Sequence, residues 1–133
     1  MINSKIIKIA SKSKNIGLTD KYDFKSSLKN TICGDKIILE LTVKNSKINS
    51  MKYEMESCIY CEASASLLAT KIKNLHINTL IKDLKILKNM IKNEKLTFPV
   101  NFKDFKILIQ KKNFNRINCI NLPFDAVLKA LEQ

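Results

Sequence analysis

A chain of 133 residues with 24 Lys+Arg against 12 Asp+Glu and 45% hydrophobic residues is expected to form a single domain, 1–133, able to bury a core without cross-links. No apolar run reaches the roughly 18 to 20 residues that span a bilayer, which excludes a transmembrane helix; with two glycines in all, a phosphate-cradling loop is excluded too. The net charge of +12 does not argue for nucleic acid, because Arg116 is the sole arginine and the lysines lie scattered among Asn and Ile without interleaved aromatics.

Residues 1–14 are Lys- and Ser-rich and lack the apolar core of about 7 to 15 residues found in a secretory signal. Ile6, Ile7 and Ala10 share a stripe there, which predicts a short helix over 5–12 that Asn15-Ile16-Gly17 ends. Residues 18–36 hold no sustained period and read as a surface excursion ending at Cys33-Gly34-Asp35. Alternation through Ile37, Leu39, Leu41 and Val43, and again through Ile48, Met51, Tyr53 and Met55, predicts two strands joined by a turn at Asn45-Ser46. Glu62–Ala69 is small and helical in propensity, suited to close packing against the sheet. A second helix is predicted over Ile77–Lys92 from Leu80, Ile81, Leu84, Leu87, Met90 and Ile91. Pro99 interrupts the chain, and Phe102, Phe105, Leu108 and Ile109 predict a short helix. Pro123 suits a first helical turn, followed by a closing amphipathic helix through Phe124, Val127, Leu128 and Leu131. The fold class is α+β: a small antiparallel sheet packed against several helices.

Four cysteines, Cys33, Cys58, Cys61 and Cys119, in a chain with no recognisable export signal suggest a reducing, cytoplasmic setting where thiols serve metals or catalysis. Only the thiolate binds metal or attacks sulfur, and thiolates gathered without a cation repel one another. A divalent metal or an iron–sulfur cluster resolves that repulsion. Cys33, Cys58 and Cys119 with Asp35 would supply the three sulfurs and one oxygen of a tetrahedral zinc site. Spacings of 25 and 61 residues match no zinc finger or ribbon, however, so spacing leaves zinc, a cluster and three unrelated packing cysteines all open.

Context narrows the choice. Asn30-Thr31-Ile32-Cys33-Gly34-Asp35 resembles the Asn-Pro-x-Cys-Gly-Asp pattern of the U-type iron–sulfur cluster assembly scaffolds, the group of IscU, SufU and the NifU N-terminal domain. Ser57-Cys58-Ile59-Tyr60-Cys61-Glu62-Ala63-Ser64-Ala65-Ser66 is similar to that group's Gly-Cys-x-x-Ser-x-Ala-Ser-Ala-Ser block. Arg116-Ile117-Asn118-Cys119-Ile120-Asn121-Leu122 is similar to its Arg-x-x-Cys-x-x-Leu segment before a final helix.

The resemblance implies an IscU/SufE-like fold and a scaffold rather than an enzyme. Such a scaffold accepts sulfur from a cysteine desulfurase and holds a transient [2Fe-2S] cluster on Cys33, Cys58 and Cys119 beside Asp35. It passes that cluster to recipient apoproteins or carrier proteins, acting as a monomer or weak dimer without nucleic acid or membrane. Asp35 would keep the cluster labile, since a hard oxygen holds a soft site less firmly than a fourth thiolate. Family precedent makes Cys119 the candidate persulfide acceptor. Thr31 stands where the family has Pro, Ser57 where it has Gly, and Cys61 where Ser is common. Asn118 replaces the His of the IscU branch, and that branch's Leu-Pro-Pro-Val-Lys motif is missing. These departures and the long stretch between Cys58 and Cys119 bring the chain closer to SufU. They support an alternative, a zinc-binding persulfide relay that stimulates a desulfurase. An independent thiol enzyme lacks a base, since no His or Lys adjoins a cysteine and His76 is remote in sequence.

Overall fold

Residues 4–11, 14–90 and 97–132 are described by a computed structural model of the chain. The alternating apolar residues form the hairpin they predict: β2 (Lys36–Lys44) pairs antiparallel with β3 (Lys47–Glu56), placing Leu39 opposite Tyr53 and Leu41 opposite Met51. Each strand runs one residue further at either end than its apolar pattern. Asn45 and Ser46 both take positive φ, 53° and 63°, which gives a two-residue turn the twist that neighbouring strands require.

The stretch 18–36 departs from expectation. It contains a third strand, β1 (Phe24–Lys29), antiparallel to β2, so the sheet runs β1-β2-β3. Ser26 and Ser27 erase its apolar alternation. Ser26 is buried nonetheless, its hydroxyl donating to the Ala126 carbonyl at 2.6 Å. Partners from distant segments, not intrinsic propensity, make this strand. The residues before it lie against the sheet through Glu40. That carboxylate, 1% exposed, accepts from the Thr19 and Asp20 amides at 2.7 and 3.0 Å and from the Thr19 hydroxyl at 3.2 Å.

Helices cover the other face of the sheet. The first, α1 (Ser4–Ser11), buries Ile6 and Ala10; Lys12 of its predicted span lies outside the described residues. α2 (Ile59–Lys71) buries Ala63, Ser64, Ala65, Ser66, Leu68 and Ala69, on nearly all its sides. Its small residues let helices approach more than the sheet. Ser64 donates to the Ile120 carbonyl at 2.7 Å and Ser66 to the Ile9 carbonyl at 2.8 Å, wedging α2 between α1 and the closing helix. α3 (Ile77–Asn89) turns Leu80, Leu84 and Leu87 inward; Ile91 and Lys92 of its predicted span fall outside the described residues.

Past Pro99, two 3-10 segments, Val100–Ile107 and Lys111–Arg116, replace the single short helix read from the sequence. Phe102, at φ −123°, breaks the first one. Phe102 and Phe105 are buried, and Phe105 meets Phe124 edge-on at 5.2 Å between ring centres. The closing helix, α4, spans Ile117–Leu131, so Pro123 sits inside it rather than in its first turn. A proline there has no N–H to give to the carbonyl four residues back, which is that of Cys119. The apolar burial around Leu122, Phe124 and Val127 outweighs that missing bond. No helix among the described residues is long and apolar enough to cross a membrane.

Candidate thiol and carboxylate site

Three segments converge at the Lys36 end of the sheet. The β1–β2 connection, residues 30–35, is closed by main-chain bonds from Asn30 N–H to the Asp35 carbonyl and from Gly34 N–H to the Asn30 carbonyl, both 2.7 Å. Gly34 has φ +75°, a conformation that L side chains resist, and no neighbour within 4 Å of where a Cβ would stand. The glycine is there for the backbone turn, not for space. Asn30 organises the rest: its Oδ1 accepts from Ile32 N–H at 3.0 Å and its Nδ2 reaches the Cys33 sulfur at 3.6 Å.

Cys33 is exposed, whereas Cys119, in the first turn of α4, is 1% exposed. The Cys119 thiol donates to the Cys33 sulfur at 3.4 Å. Ligand atoms of Cys33, Asp35 and Cys119 all lie within 4.8 Å of one another. Cys58 stands just outside that trio and joins it through Asp35. Its thiol donates to Asp35 Oδ2 at 3.8 Å, and its backbone N–H, at the start of α2, donates to Asp35 Oδ1 at 3.1 Å. Asp35, 4% exposed, is therefore held against the positive end of a helix, a favourable place for a buried carboxylate.

Burial pushes the Cys119 thiol well above the ordinary value of 9.0; its contacts with Cys33, Asp35 and Cys58 push the same way. Cys61, one turn into α2, is fully buried within the core cluster, a packed small residue. Desolvation raises its pKa first and the charge of Asp35 adds to that. A tetrahedral zinc ion bonded to sulfur at about 2.3 Å separates its ligands by ~3.8 Å, so a mutual reach of 4.8 Å for two thiols and a carboxylate suits such an ion with little movement.

Other polar and titratable residues lie away from the thiols. His76 caps α3, its Nδ1 accepting from Asn78 N–H at 3.2 Å, and bridges Lys47 at the hairpin-turn end of the sheet, the end opposite the thiols. Tyr53 is buried in the core. Lys103, Lys106, Lys111 and Lys112 are exposed along the 3-10 segments. Two features went unread in the sequence. Arg116, at the start of α4, stacks over the Tyr60 ring at 5.6 Å and so ties the segments bearing Cys58 and Cys119. The second is the organising role of Asn30. An Asn opening a turn that closes on Gly is a readable signal; the arginine–tyrosine contact is purely tertiary.

A family model described as the NifU-like N terminal domain matches residues 1–132. The zinc-dependent sulfurtransferase SufU of Bacillus subtilis is 29% identical over 105 residues, covering 78% of this chain and 71% of its own. The iron-sulfur cluster assembly scaffold protein IscU of Thermotoga maritima is 25% identical over 134 aligned residues, covering 100% of this chain and 94% of its own. Among solved structures, a NifU-like protein (N-terminal) from Brucella abortus superposes with a TM-score of 0.88 at 21% identity, covering 98% of this chain and 91% of that one. A putative scaffold protein for the SUF system from Fervidobacterium islandicum also gives 0.88, at 22% identity over 98% of this chain and 96% of that one. At these identities the structural likeness is one of fold.

Proposed function

This chain belongs to the NifU-like N terminal domain family, and from that premise we propose that it is an iron–sulfur cluster assembly scaffold. It takes sulfur from a cysteine desulfurase and holds a [2Fe-2S] cluster, as cargo, for transfer to apoproteins or carriers. The observation that carries the reading is the meeting of Cys33, Asp35 and Cys119, drawn from positions up to 86 residues apart, with Cys58 bonded to the same carboxylate. Independent packing cysteines have no reason to share one aspartate.

The division of labour follows from exposure. Sequence precedent favours Cys119 as sulfur acceptor, but Cys119 is buried, whereas Cys33 faces solvent on a turn. We therefore assign reception to Cys33. Its thiolate attacks the outer sulfur of the donor's persulfide, forming a Cys33 persulfide and releasing the donor's thiolate. Cys119, 3.4 Å behind, and Cys58 complete the sulfur ligands for the cargo. Asp35 supplies the oxygen ligand and, through Cys58 N–H, fixes the start of α2 relative to the turn.

A second reading rests on the kinship with a protein named as a zinc-dependent sulfurtransferase and on a donor set of three sulfurs and one oxygen. Here zinc is held by Cys33, Asp35, Cys58 and Cys119, and the chain relays persulfide without building a cluster. Bound zinc would supply charge that keeps these thiols deprotonated. Anaerobic incubation with desulfurase, cysteine and Fe²⁺ separates the two. A visible-absorbing species lost in Cys33→Ala, Cys58→Ala and Cys119→Ala supports the scaffold. Faster desulfurase turnover with a colourless, zinc-loaded product supports the relay. In the scaffold, Asp35→Ala is expected to give a longer-lived cluster; a shorter-lived one removes the lability role of the carboxylate.

A further inference from the structure

A [2Fe-2S] cluster is built from sulfide, whereas a persulfide carries sulfane sulfur, two electrons short of it. The sulfur contact at the site points to a source for those electrons. Cys119 Sγ lies 3.4 Å from Cys33 Sγ, joining the first turn of α4 to the β1–β2 connection across 86 residues. That separation falls in the range of about 3–3.5 Å from which aligned atoms react. The atom within reach is Cys33 Sγ itself, which becomes the inner sulfur once a second sulfur is bonded to it. Which of the two is attacked decides the product: attack on the outer sulfur passes it on, attack on the inner one expels it.

Exposure selects the inner sulfur. Cys119 is buried and meets Cys33 from the protein side, while Cys33 is open to solvent, the side from which a donor protein must come. A sulfur added there stands away from Cys119, the position a leaving atom takes in an in-line displacement. Asn30 Nδ2 donates to Cys33 Sγ at 3.6 Å and holds that inner sulfur in place. The other two thiols are engaged elsewhere. Cys58 donates to Asp35 Oδ2 at 3.8 Å, and Cys61 is fully buried in the core.

We propose that Cys119 is a resolving thiol that reduces the sulfur received at Cys33 to hydrosulfide. In the metal-free protein Cys119 Sγ attacks Cys33 Sγ, and a Cys33–Cys119 disulfide forms. The persulfide S–S bond breaks; its electron pair goes with the outer sulfur, which takes the Cys119 proton and departs as hydrosulfide. The outer sulfur gains two electrons, and the two cysteine sulfurs together lose two. Closing 3.4 Å to the roughly 2.05 Å of a disulfide needs a shift of about 1.4 Å, within reach of an exposed side chain on a turn. The disulfide takes up two of the four proposed ligands, so thiol–disulfide exchange with an external dithiol must follow before the site holds metal. The inference rests on the sulfur-accepting reading, common to scaffold and relay, and adds to it the fate of the sulfur.

The test uses the full chain, metal-free, loaded anaerobically with sulfur by the cysteine desulfurase of the same organism and then freed of desulfurase, cysteine and thiols. The wild type is expected to release one hydrosulfide per persulfide, with a rate constant unchanged on dilution, and peptide mapping should find the Cys33–Cys119 disulfide. This oxidised protein should take up no zinc until a dithiol is added. Cys119→Ala should keep its Cys33 persulfide and release hydrosulfide about tenfold more slowly or worse, while Cys61→Ala behaves as the wild type. Should Cys119→Ala fold poorly, the disulfide map and dilution series of the wild type carry the test alone. A wild-type persulfide that persists, a persulfide found on Cys119, a rate constant that rises with protein concentration, or full release from Cys119→Ala overturns the resolving role and leaves the sulfur-accepting reading standing. A wild type that never acquires sulfur, as persulfide or as released hydrosulfide, removes both.

Discussion

The two ends of strand β2 are built for opposite purposes. At the Lys44 end the chain turns within two residues, and the turn is sewn to the start of α3. Ile77 N–H donates to the Ser46 carbonyl at 2.9 Å, Ile48 N–H to the Leu75 carbonyl at 2.9 Å and Asn74 N–H to the Ile48 carbonyl at 2.7 Å. At the Lys36 end the connection is six residues long, from 30 to 35, and holds an exposed cysteine, a positive-φ glycine and a buried aspartate. Main-chain bonds to another element fix the first end. Main-chain bonds within the connection, with side-chain and sulfur contacts to other segments, fix the second. One strand of nine residues thus separates a turn locked by main-chain bonds from the candidate site.

Substitutions at the two ends should separate stability from metal binding. The largest effect is expected at the thiols: Cys119→Ala removes one of the four proposed ligands and should cost about 3–4 kcal/mol of zinc affinity, several hundredfold, measured by competition with a chelator. The melting temperature of the metal-free protein should shift far less. At the opposite end, Ile48→Ala opens a cavity beneath the turn and should cost about 3 kcal/mol of stability by urea titration while leaving zinc affinity unchanged. A loss of zinc there would mean the ends are not independent.

Alkali probes the two buried thiols. Cys61 and Cys119 have pKa values raised in the folded state above the ordinary 9.0, so folding keeps on them protons that the unfolded chain has released. Their contribution is complete below about pH 9 and is lost above it, by up to ~1.4 kcal/mol per pH unit for each thiol. Urea midpoints of metal-free protein at about pH 8 and pH 10 should therefore differ, and Cys61→Ala should narrow the difference. The smallest effects lie in the two turns and carry opposite signs. Gly34→Ala should destabilise by about 1 kcal/mol, because a Cβ is strained at φ +75° even with space around it. Ser46→Gly, at φ 63°, should stabilise by roughly 0.5–1 kcal/mol.

How far the sequence discloses this molecule depends on the range of the forces involved. The hairpin, α3 and α4 are readable because period and burial coincide within each segment, as Leu39 and Leu41 or Leu80, Leu84 and Leu87 show, and α2 is readable from its helix-forming small residues alone. β1 is not, because Ser26 and Ser27 are stabilised by Ala126 and by β2, far away in sequence. Pro123 suits a first turn by its local backbone rule, yet lies inside α4, where packing of the whole helix offsets the cost. For the site, three motifs in order named Cys33, Asp35, Cys58 and Cys119 as candidates. The exposure that distinguishes Cys33 from Cys119 is a property of the assembled structure, as are the Arg116–Tyr60 contact and the unpartnered Oδ1 of Asn121. Motifs pick out reactive atoms; only the fold ranks them.

Pro123 has one more effect, on the turn that carries Cys119. Because it offers no donor to the Cys119 carbonyl, the helical ladder is interrupted between the turn that carries the thiol and the stretch from Phe124 to Leu131 that anchors the sheet. The residue that carries the buried thiol thus also carries a carbonyl with no intrahelical donor.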